Sequence, residues 1–553
     1  MSFGTSMAQL YDVRLDGSSF LMTNVSLSNA LVAGTIGKDE FIDHQALKVF
    51  YQSRHDQPYW VGTLGPKSHA KELLGVLENA WTHGLNPAHY HVEEIRALIE
   101  KPGFTPQLEL ELTLTDAFIR YARDLSGIRV DPSSLKVDGE SWRQPKSAHD
   151  VLALLRSGRN LENILQSVEP QGRTYKLLQQ ELVRLSRLGD EPYASVLPIS
   201  FGDSLMRPPW RHKSIPDLRL RLGAVQQTHD ALLYDDALAA AVMKFQRENG
   251  LMDDGVIGSN TLRALNRTRQ SQILQIVANM ERLRWVDENK PEKFVVVNIP
   301  SATLWAINDG QVQFEMPVVV GKPVRATQSF IAEIKGVRFN PDWTVPPTIK
   351  KYDILPKIQE DPEYLTNKGI ELIRGRGANR ETLDPDAVDW ENITWQELNA
   401  IEMVQIPGEH NPLGKIRILM PNEFNIYLHD TNHPEHFDLP ERAQSSGCVR
   451  LKDPEQMARF VMEGQEGWSD SRMDELLGRA RTTDIPISNS IPVYVLYYTV
   501  WTDDQGQIVY GTDIYNQDRK LTELLAEIDG FQIPRHNQST AARSGSSELV
   551  SIQ

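Results

Sequence analysis

The sequence is poor in several features, and each absence excludes a class of structure or function. Only one of its 553 residues is a cysteine, so no disulfide can form within the chain. The sequence has no run of about 18 apolar residues, the length that a transmembrane helix requires. Acidic residues outnumber basic ones by 74 to 58, and a net charge of −16 argues against a nucleic-acid-binding protein.

The length and composition predict a protein of several globular domains. A chain of 553 residues suggests three or four domains of about 150 residues each. Hydrophobic residues make up 40% of the sequence and charged residues 24%, values that are ordinary for soluble proteins. The chain therefore has enough apolar residues to build a large core.

Two short segments place reactive side chains near the single cysteine. Residues 425–429 read as a strand, and residues 448–451 are compatible with a second one. Because successive side chains of a strand point to opposite faces, one pairing of the two segments sends the aliphatic residues to the core. It leaves a phenol, an imidazole, a thiol and a guanidinium on a common face, from Tyr427, His429, Cys448 and Arg450.

This convergence predicts a cysteine nucleophile. A thiol reacts poorly until it ionises, and a neighbouring imidazole and guanidinium both favour the thiolate. Gly447 allows the backbone to approach a substrate, and the amides around Cys448 can face a developing oxyanion. The alternative is an inert buried cysteine, the usual fate of a lone one. The in-phase His429 and the Ser-Ser-Gly sequence before Cys448 favour the catalytic interpretation.

The same residues resemble the signature of a known enzyme family. The pattern from His429 to Ser446-Gly447-Cys448-Val449-Arg450 is similar to the catalytic motif of the L,D-transpeptidases, YkuD-domain enzymes that crosslink peptidoglycan. The family more often has Ser-His-Gly-Cys, and Ser446 replaces that second histidine, which leaves His429 as the only motif histidine. The Tyr-Leu-His-Asp-Thr and Ser-Ser-Gly-Cys-Val-Arg forms resemble the large multidomain Gram-negative branch, the YcbB type.

The resemblance implies roles for individual residues. Cys448 is expected to be the nucleophile and His429 the base, and neither a metal nor a cofactor is implied. A guanidinium such as that of Arg450 suits a substrate carboxylate. Gly447, Tyr427 and Ser446 are expected to bind the oxyanion or to orient the reacting groups. Trp343 and Asp430 are expected to contact the substrate, in addition to Arg450.

Two further stretches resemble accessory domains of these enzymes. Residues 114–125 and the turn His83-Gly-Leu-Asn-Pro87 are similar to the scaffold domain. The Phe-Gln-x-x-x-Gly-Leu, Asp-Gly-x-Ile-Gly and Thr-Leu-x-x-Leu-Asn motifs between residues 245 and 266 resemble a small three-helix peptidoglycan-binding domain. A spacer that keeps this fold without binding glycan is the alternative.

The chain is therefore predicted to be a multidomain α+β protein, with a helical scaffold and a mostly-β, YkuD-like catalytic domain. Within the scaffold, helical spacing predicts one helix ending at Gly84 and another running from a capping Thr115 to Gly127. The predicted regions are a leader at 1–35, the scaffold at 36–200, a peptidoglycan-binding domain at 215–267, a catalytic domain at 290–516 and a C-terminal helix with a disordered tail at 517–553. A polar and irregular segment at 348–412 interrupts the catalytic domain and is expected to cap its active site.

The resemblance also implies an activity, a location and an inhibitor class. Cys448 would attack a tetrapeptide stem, release D-Ala and pass the acyl group to the side-chain amine of a diamino acid in another stem (a 3-3 crosslink). The expected partners are peptidoglycan stems and glycan, other cell-wall enzymes or a protein acceptor, and carbapenems as inhibitors. The family is exported to the periplasm, yet residues 20–34 make a poor signal peptide, so the native leader is expected to be missing.

Three other functions remain open at this stage. The same site could hydrolyse the stem as a cysteine peptidase, because only water access separates hydrolysis from transfer. The chain could instead be a wall-binding protein with an incidental thiol. A metal site of His429, His433 and His436 is disfavoured, because Pro434 breaks the helix that such a spacing would need.

Overall fold

The computed structural model describes residues 27, 35–36, 39–40, 42–135, 137, 141–188, 205–226, 228–375, 380–479, 481–503 and 505–531. The predicted leader lies almost entirely outside these residues, and so does the predicted tail beyond residue 531. Among the described helices, none combines the length and apolarity needed to cross a membrane. Two two-stranded ribbons pair β1 (Thr35–Ile36) with β2 (Asp39–Glu40) and β3 (Val61–Gly62) with β4 (Gly65–Pro66).

The N-terminal part is helical, as predicted. Its helices are α1 (His44–Ser53), α2 (Ser68–Glu78), α3 (Val92–Ile99), α4 (Phe104–Ser126), α5 (Pro132–Leu135), α6 (Ala148–Leu155), α7 (Leu161–Gln166) and α8 (Arg173–Arg187). A short 3₁₀ turn follows α2 and ends at Gly84, which adopts a left-handed conformation with φ of 69°. The prediction for Thr115 was wrong: it lies inside α4, where its hydroxyl donates to the carbonyl of Glu111 at 2.8 Å.

A compact three-helix unit follows, formed by α9 (Ile215–Leu222), α10 (Asp236–Glu248) and α11 (Ser259–Leu265). Its core includes Leu238 and Val242, one turn apart on α10. The buried Gln246 side chain joins the segments of the unit: its amide nitrogen donates to Thr261 Oγ1 at 3.1 Å and its oxygen accepts from the Gly255 N–H at 2.9 Å.

Helix α12 (Arg269–Arg284) lies among the scaffold, the catalytic sheet and the C-terminal helix α19 (Gln517–Asp529). Many of its side chains are buried, including three charged ones, Glu281, Arg282 and Arg284. Glu281 accepts from Arg129 of the scaffold at 2.8 Å and from Arg284 at 2.6 Å. Arg129 also pairs with Asp529 of α19 at 2.9 Å, so these charges join three parts of the chain.

The catalytic region is a sheet of nine strands in the order β15-β7-β16-β14-β13-β8-β17-β5-β6. A further pairing between β6 and β7 closes the strands other than β15 into a ring. The strands are β5 (Lys293–Asn298), β6 (Thr303–Asn308), β7 (Gln311–Gly321), β8 (Phe330–Phe339), β13 (Ile416–Leu419), β14 (Leu428–His429), β15 (Ala443–Ser445), β16 (Val449–Leu451) and β17 (Thr483–Leu496). The predicted mostly-β character of this domain is confirmed.

Two helices and a small hairpin complete the region after β16. Asp453 caps α17 (Pro454–Met462) by accepting from the Gln456 N–H at 2.8 Å, as its sequence predicts. Residues of α17 and of α18 (Asp470–Leu477) fill the core against the sheet. The strands β18 (Val500–Thr502) and β19 (Ile508–Tyr510) then form the hairpin that precedes α19.

The insertion into the catalytic sheet is ordered, in contrast to the irregular segment expected from its polarity. It forms a separate sheet in the order β11-β10-β12-β9 with its own apolar core. Its strands are β9 (Trp343–Thr344), β10 (Ile370–Arg374), β11 (Glu381–Leu383) and β12 (Ile401–Gln405), and its helices are α13 (Pro347–Ile349), a π-helical turn (Lys350–Ile354), α14 (Leu355–Glu360), α15 (Tyr364–Lys368) and α16 (Trp395–Ala400). We call residues 343–412 the cap; it begins before the predicted boundary because β9 belongs to its sheet.

The buried carboxylate of Glu281 predicts a large stability effect. Burial raises its pKa, but Arg129 and Arg284 outweigh burial and lower it to about 2. We expect Glu281→Gln to lower the free energy of unfolding by about 3–5 kcal/mol, because the buried Arg284 loses the carboxylate it is paired with and Arg129 loses one of its carboxylate partners. The wild type should lose this stabilisation as the pH falls from about 4.3, the pKa of an unfolded glutamate, towards 2.

Chemical denaturation of the two proteins measures the difference. The control is Glu455→Gln on α17, whose pair with Arg459 spans 3.3 Å between side chains that are 48% and 45% exposed. Such a surface pair contributes at most about 1 kcal/mol. Equal effects of the two substitutions would contradict the prediction.

Candidate active site

The pairing of β14 with β16 creates the predicted common face. The two strands run parallel, with Leu428 opposite Val449 and His429 opposite Arg450. Leu428 and Val449 are fully buried in the core. His429 and Arg450 point to the other face, and the register places Cys448 opposite Tyr427. The structure therefore brings together the four side chains that the alternation predicted.

The segment before His429 is less regular than predicted, since strand β14 contains only Leu428 and His429. Asn425 has a positive φ of 52°, so the chain is not extended there. Asn422 replaces the missing strand contacts: its side-chain amide donates to the carbonyl of Ile426 at 2.8 Å and accepts from the Ile426 N–H at 3.1 Å. Ile426 still enters the core, so the alternation survives without a long strand.

His429 is held in one tautomer. Its Nδ1 lies within hydrogen-bond distance of the Asp430 carbonyl, and a carbonyl can only accept, so Nδ1 carries the proton. Burial and, after it, the charge of Arg450 lower the pKa of His429 to about 3. The ring is therefore neutral at pH 7, and Nε2 has a free lone pair that can take a proton.

The pKa of the Cys448 thiol is shifted upwards, against the direction that its charged neighbours favour. Burial raises its pKa above the usual value, although the main chain of Tyr427 and the charges of Arg417 and Arg450 act in the opposite direction. Its sulfur lies 3.9 Å from the carbonyl oxygen of Asn425. The sequence pattern predicted that neighbouring charges favour the thiolate; Arg417 and Arg450 do so in the structure, but burial has the larger effect on the pKa, and the sequence does not reveal burial.

Residues 445–448, which we call the nucleophile turn, are held by hydrogen bonds between the Ser445 side chain and the main chain. Gly447 has φ of 121°, a conformation that favours glycine. Its N–H donates to Ser445 Oγ at 3.1 Å, and Ser445 Oγ donates to the carbonyl of Cys448 at 2.6 Å. The Gly447 amide is therefore engaged within the turn, and these contacts favour an orienting role over oxyanion binding. Ser446 is exposed, and its hydroxyl accepts from Arg325 at 3.0 Å.

Two arginines flank His429, and only Arg450 was expected. Arg417 on β13 is paired in register with His429, and its guanidinium carbon lies 3.5 Å from the ring centre of Tyr427. Arg450 donates to His436 Nδ1 at 3.0 Å. Within the described part of the chain, neither guanidinium lies within 4 Å of a carboxylate, and the Nε of each is buried without a hydrogen-bond partner. The alternation Ile416-Arg417-Ile418 indicated a strand, but no local pattern reveals that Arg417 lies opposite His429.

The two remaining predicted substrate contacts, Trp343 and Asp430, are both in contact with other parts of the protein. Trp343 belongs to β9 and packs partly against the core of the cap. Asp430 accepts from the Lys415 and Thr431 N–H groups, each at 2.7 Å, so both carboxylate oxygens are occupied by the backbone. These contacts favour a structural role for Asp430 over substrate binding.

A group of possible metal ligands lies beside the site. His433, Glu435 and His436 have ligand atoms within 4.8 Å of one another, and His429 is not part of this group. The rings of His433 and His436 stack with centres 5.4 Å apart. Because Arg450 donates to His436, its positive charge opposes the binding of a cation there.

Comparison with known families gives three matches along the chain. Residues 45–182 match a scaffold domain, residues 221–265 a putative peptidoglycan binding domain and residues 292–472 an L,D-transpeptidase catalytic domain. A protein of Haemophilus influenzae named putative L,D-transpeptidase is 34% identical over 272 residues. That alignment covers 49% of this chain and 53% of the relative, so the chain spans about half the length of the relative that it matches.

Solved structures of L,D-transpeptidases are more distant. The one from Mycobacterium smegmatis is 13% identical over 37% of this chain and 58% of its own, with a TM-score of 0.19. The one from Stackebrandtia nassauensis is 14% identical over 54% of this chain and 95% of its own, also with a TM-score of 0.19. By the three family matches and the Haemophilus influenzae relative, the chain is similar to L,D-transpeptidases: a region that matches their catalytic domain follows regions that match a scaffold domain and a putative peptidoglycan binding domain.

Proposed function

We propose that this protein is a peptidoglycan L,D-transpeptidase in which Cys448 is the nucleophile and His429 the base. The observation that carries the proposal is the β14–β16 register, which brings a neutral, tautomer-fixed histidine to the face of the only thiol. The substrate is a tetrapeptide stem of peptidoglycan. The family match over residues 292–472 supports this class of reaction.

Acylation is the first step. The sulfur of Cys448 attacks the carbonyl carbon between the L-centre of the diamino acid and the terminal D-Ala, and the thiol proton moves to His429 Nε2. The Nδ1–H contact with the Asp430 carbonyl leaves the Nε2 lone pair of His429 free to take this proton as the sulfur attacks. The tetrahedral intermediate then collapses, His429 returns the proton to the leaving amine, and D-Ala departs from a thioester.

Transfer completes the cycle. The side-chain amine of a diamino acid in a second stem attacks the thioester carbonyl, His429 takes a proton from the amine, and the thiolate leaves as the new amide forms. The proton then returns to Cys448. The product is a 3-3 crosslink between two stems, and an amine on a protein would give attachment of that protein to the wall instead.

The two arginines supply positive charge to this face of the sheet. Arg450 is proposed to hold a substrate carboxylate, because a largely buried guanidinium that touches no carboxylate gains most from an anionic ligand. Arg417 stabilises the developing thiolate, and its stacking on Tyr427 fixes its position. Tyr427 thus orients a cation, and Ser446 and Gly447 orient the nucleophile turn.

The cap gives the transferase a means to exclude water. A thioester hydrolyses if water reaches it before the acceptor amine, so transfer requires a covered site. The cap contacts the nucleophile turn through Arg325, which binds both Asp353 of the cap and Ser446. We further propose that the protein works in the periplasm at the cell wall, and that its peptidoglycan-binding domain holds the polymer.

The first test is the removal of the nucleophile. We expect Cys448→Ala to reduce crosslink formation from purified muropeptides by about 10⁴-fold or more, because the chain has no other thiol. Mass analysis of the products distinguishes crosslinked stems from tripeptides, the products of hydrolysis. Crosslinks formed by the alanine variant would refute the proposal, whereas tripeptides alone from the wild type would make the protein a peptidase.

A second test concerns the ionisation of the thiol. Alkylation of Cys448 by iodoacetamide should rise at a higher pH than that of a free thiol, whose pKa is about 8.5. Arg417→Ala and Arg450→Ala should each move the profile to still higher pH, because each removes a charge that stabilises the thiolate. Arg338→Ala is the matched control, since Arg338 lies next to Arg417 in the sheet but is already paired with Asp484 at 2.6 and 2.8 Å.

A third test uses a carbapenem as a strained carbonyl substrate. The resemblance of the active-site motif implies a thioester adduct on Cys448, with Arg450 at the carboxylate of the inhibitor. We expect Arg450→Ala to slow acylation by about 10²–10⁴-fold, the equivalent of about 3–5 kcal/mol for a lost buried charge partner. Arg450→Lys should recover part of the rate, because it keeps the charge without the bidentate geometry. Intact-mass spectrometry and peptide mapping give the rate and the position, and an adduct elsewhere in the chain would contradict the assignment.

A further inference from the structure

The loop between β7 and β8 braces the nucleophile turn. The Gly321 N–H donates to Thr327 Oγ1 at 2.8 Å, and this hydroxyl donates to the carbonyl of Gly447 at 2.8 Å. The Lys322 N–H donates to the carbonyl of Ser445 at 3.0 Å. Because Gly447 has no side chain of its own to restrain it, the position of the turn depends on these outside contacts.

Arg325, in the same loop, joins this turn to the cap. One terminal nitrogen of its guanidinium, Nη1, donates to Ser446 Oγ at 3.0 Å and is also ion-paired with the Asp353 carboxylate. Asp353 lies in the π-helical turn of the cap, and Ser446 lies two residues before Cys448. The side chains of Arg325 and Asp353 are 20% and 38% exposed, so the ion pair is partly shielded from water.

The cap and the catalytic sheet are packed separately. The apolar residues of the cap form one core, and those of the sheet around β16 form another. Two bodies with separate cores can move relative to each other if the polar contacts between them change. If the cap moves away, Arg325 loses its carboxylate partner, and the donor that orients Ser446 is no longer fixed.

We propose that Arg325 is a positioning residue that couples closure of the cap to the geometry of the nucleophile turn. This inference rests on the proposed transpeptidase function. With the cap closed, Asp353 fixes Arg325, Arg325 holds Ser446, and the turn presents Cys448 while water is excluded. With the contact broken, acylation is slower and a larger share of the thioester is lost to water.

The test is a set of variants along this chain of contacts. Arg325→Ala should slow acylation by a stem or a carbapenem roughly tenfold or more, the equivalent of losing a charge-assisted hydrogen bond. It should also raise the ratio of hydrolysis to transfer and speed hydrogen exchange in residues 350–360 of the cap. Arg325→Lys should restore part of each effect. A residue that only supports the fold would change none of these ratios in a folded variant.

A double-mutant cycle tests the coupling itself. Asp353→Asn and Ser446→Ala should each reproduce part of the defect, and the double variant should be no worse than Arg325→Ala, because both contacts act through one guanidinium. Arg459→Ala, which removes an exposed pair with Asp470 at 3.1 Å, is the control and should behave as the wild type. Multiplied effects of the two substitutions, or unchanged hydrolysis in Arg325→Ala, would overturn the inference.

Comparison of the wild type with the Arg325 variants distinguishes failure of the proposed function from failure of the proposed coupling. If the wild type forms no thioester with stem or carbapenem, the proposed function fails. If it forms one, and the Arg325 variants acylate and transfer as the wild type does, the proposed function stands and the coupling fails.

Discussion

The buried charges of helix α12 fix the relative positions of the other parts of the molecule. Glu281 accepts from Arg129 of the scaffold, and Arg129 in turn pairs with Asp529 of the C-terminal helix. Arg282 of the same helix pairs with Asp518. Buried charges tolerate little displacement, because each loses its counter-charge at a high cost when its partner moves. The scaffold and the C-terminal helix are thereby held against α12 at defined positions.

The electrostatics of the site follow from burial more than from the identity of the residues. A histidine beside a cysteine suggests an imidazolium–thiolate pair, yet burial lowers the pKa of His429 and raises that of Cys448. Both groups are therefore neutral at pH 7, and the charge on this face resides on Arg417 and Arg450. Under the proposed function, the sulfur would become charged only as it reacts, beside a neutral imidazole and a cationic surface.

Features set by residues close together in the sequence could be predicted, and features set by the pairing of distant strands could not. The common face of His429 and Cys448 follows from strand alternation, and Asp453 caps its helix through its own neighbours; both were predictable. Arg417 was missed because its place beside His429 depends on the pairing of β13 with β14, which no local pattern reveals. The contacts of Asp430 could not be predicted, because its partners, Lys415 and Thr431, become visible only in the folded backbone. The roles of the site residues remain predictions.

The ring of strands can close only after most of the chain has been synthesised. Strand β5 pairs in parallel with the end of β17, so residues 293–298 must meet residues 493–496 before the ring closes. Contacts of such long sequence separation form late and slowly. The cap lies in the sequence between these two strands, and it has a core of its own. During synthesis the cap can fold before the last strand leaves the ribosome. The ring that contains the strands of Cys448 and His429 therefore closes only in a nearly complete chain.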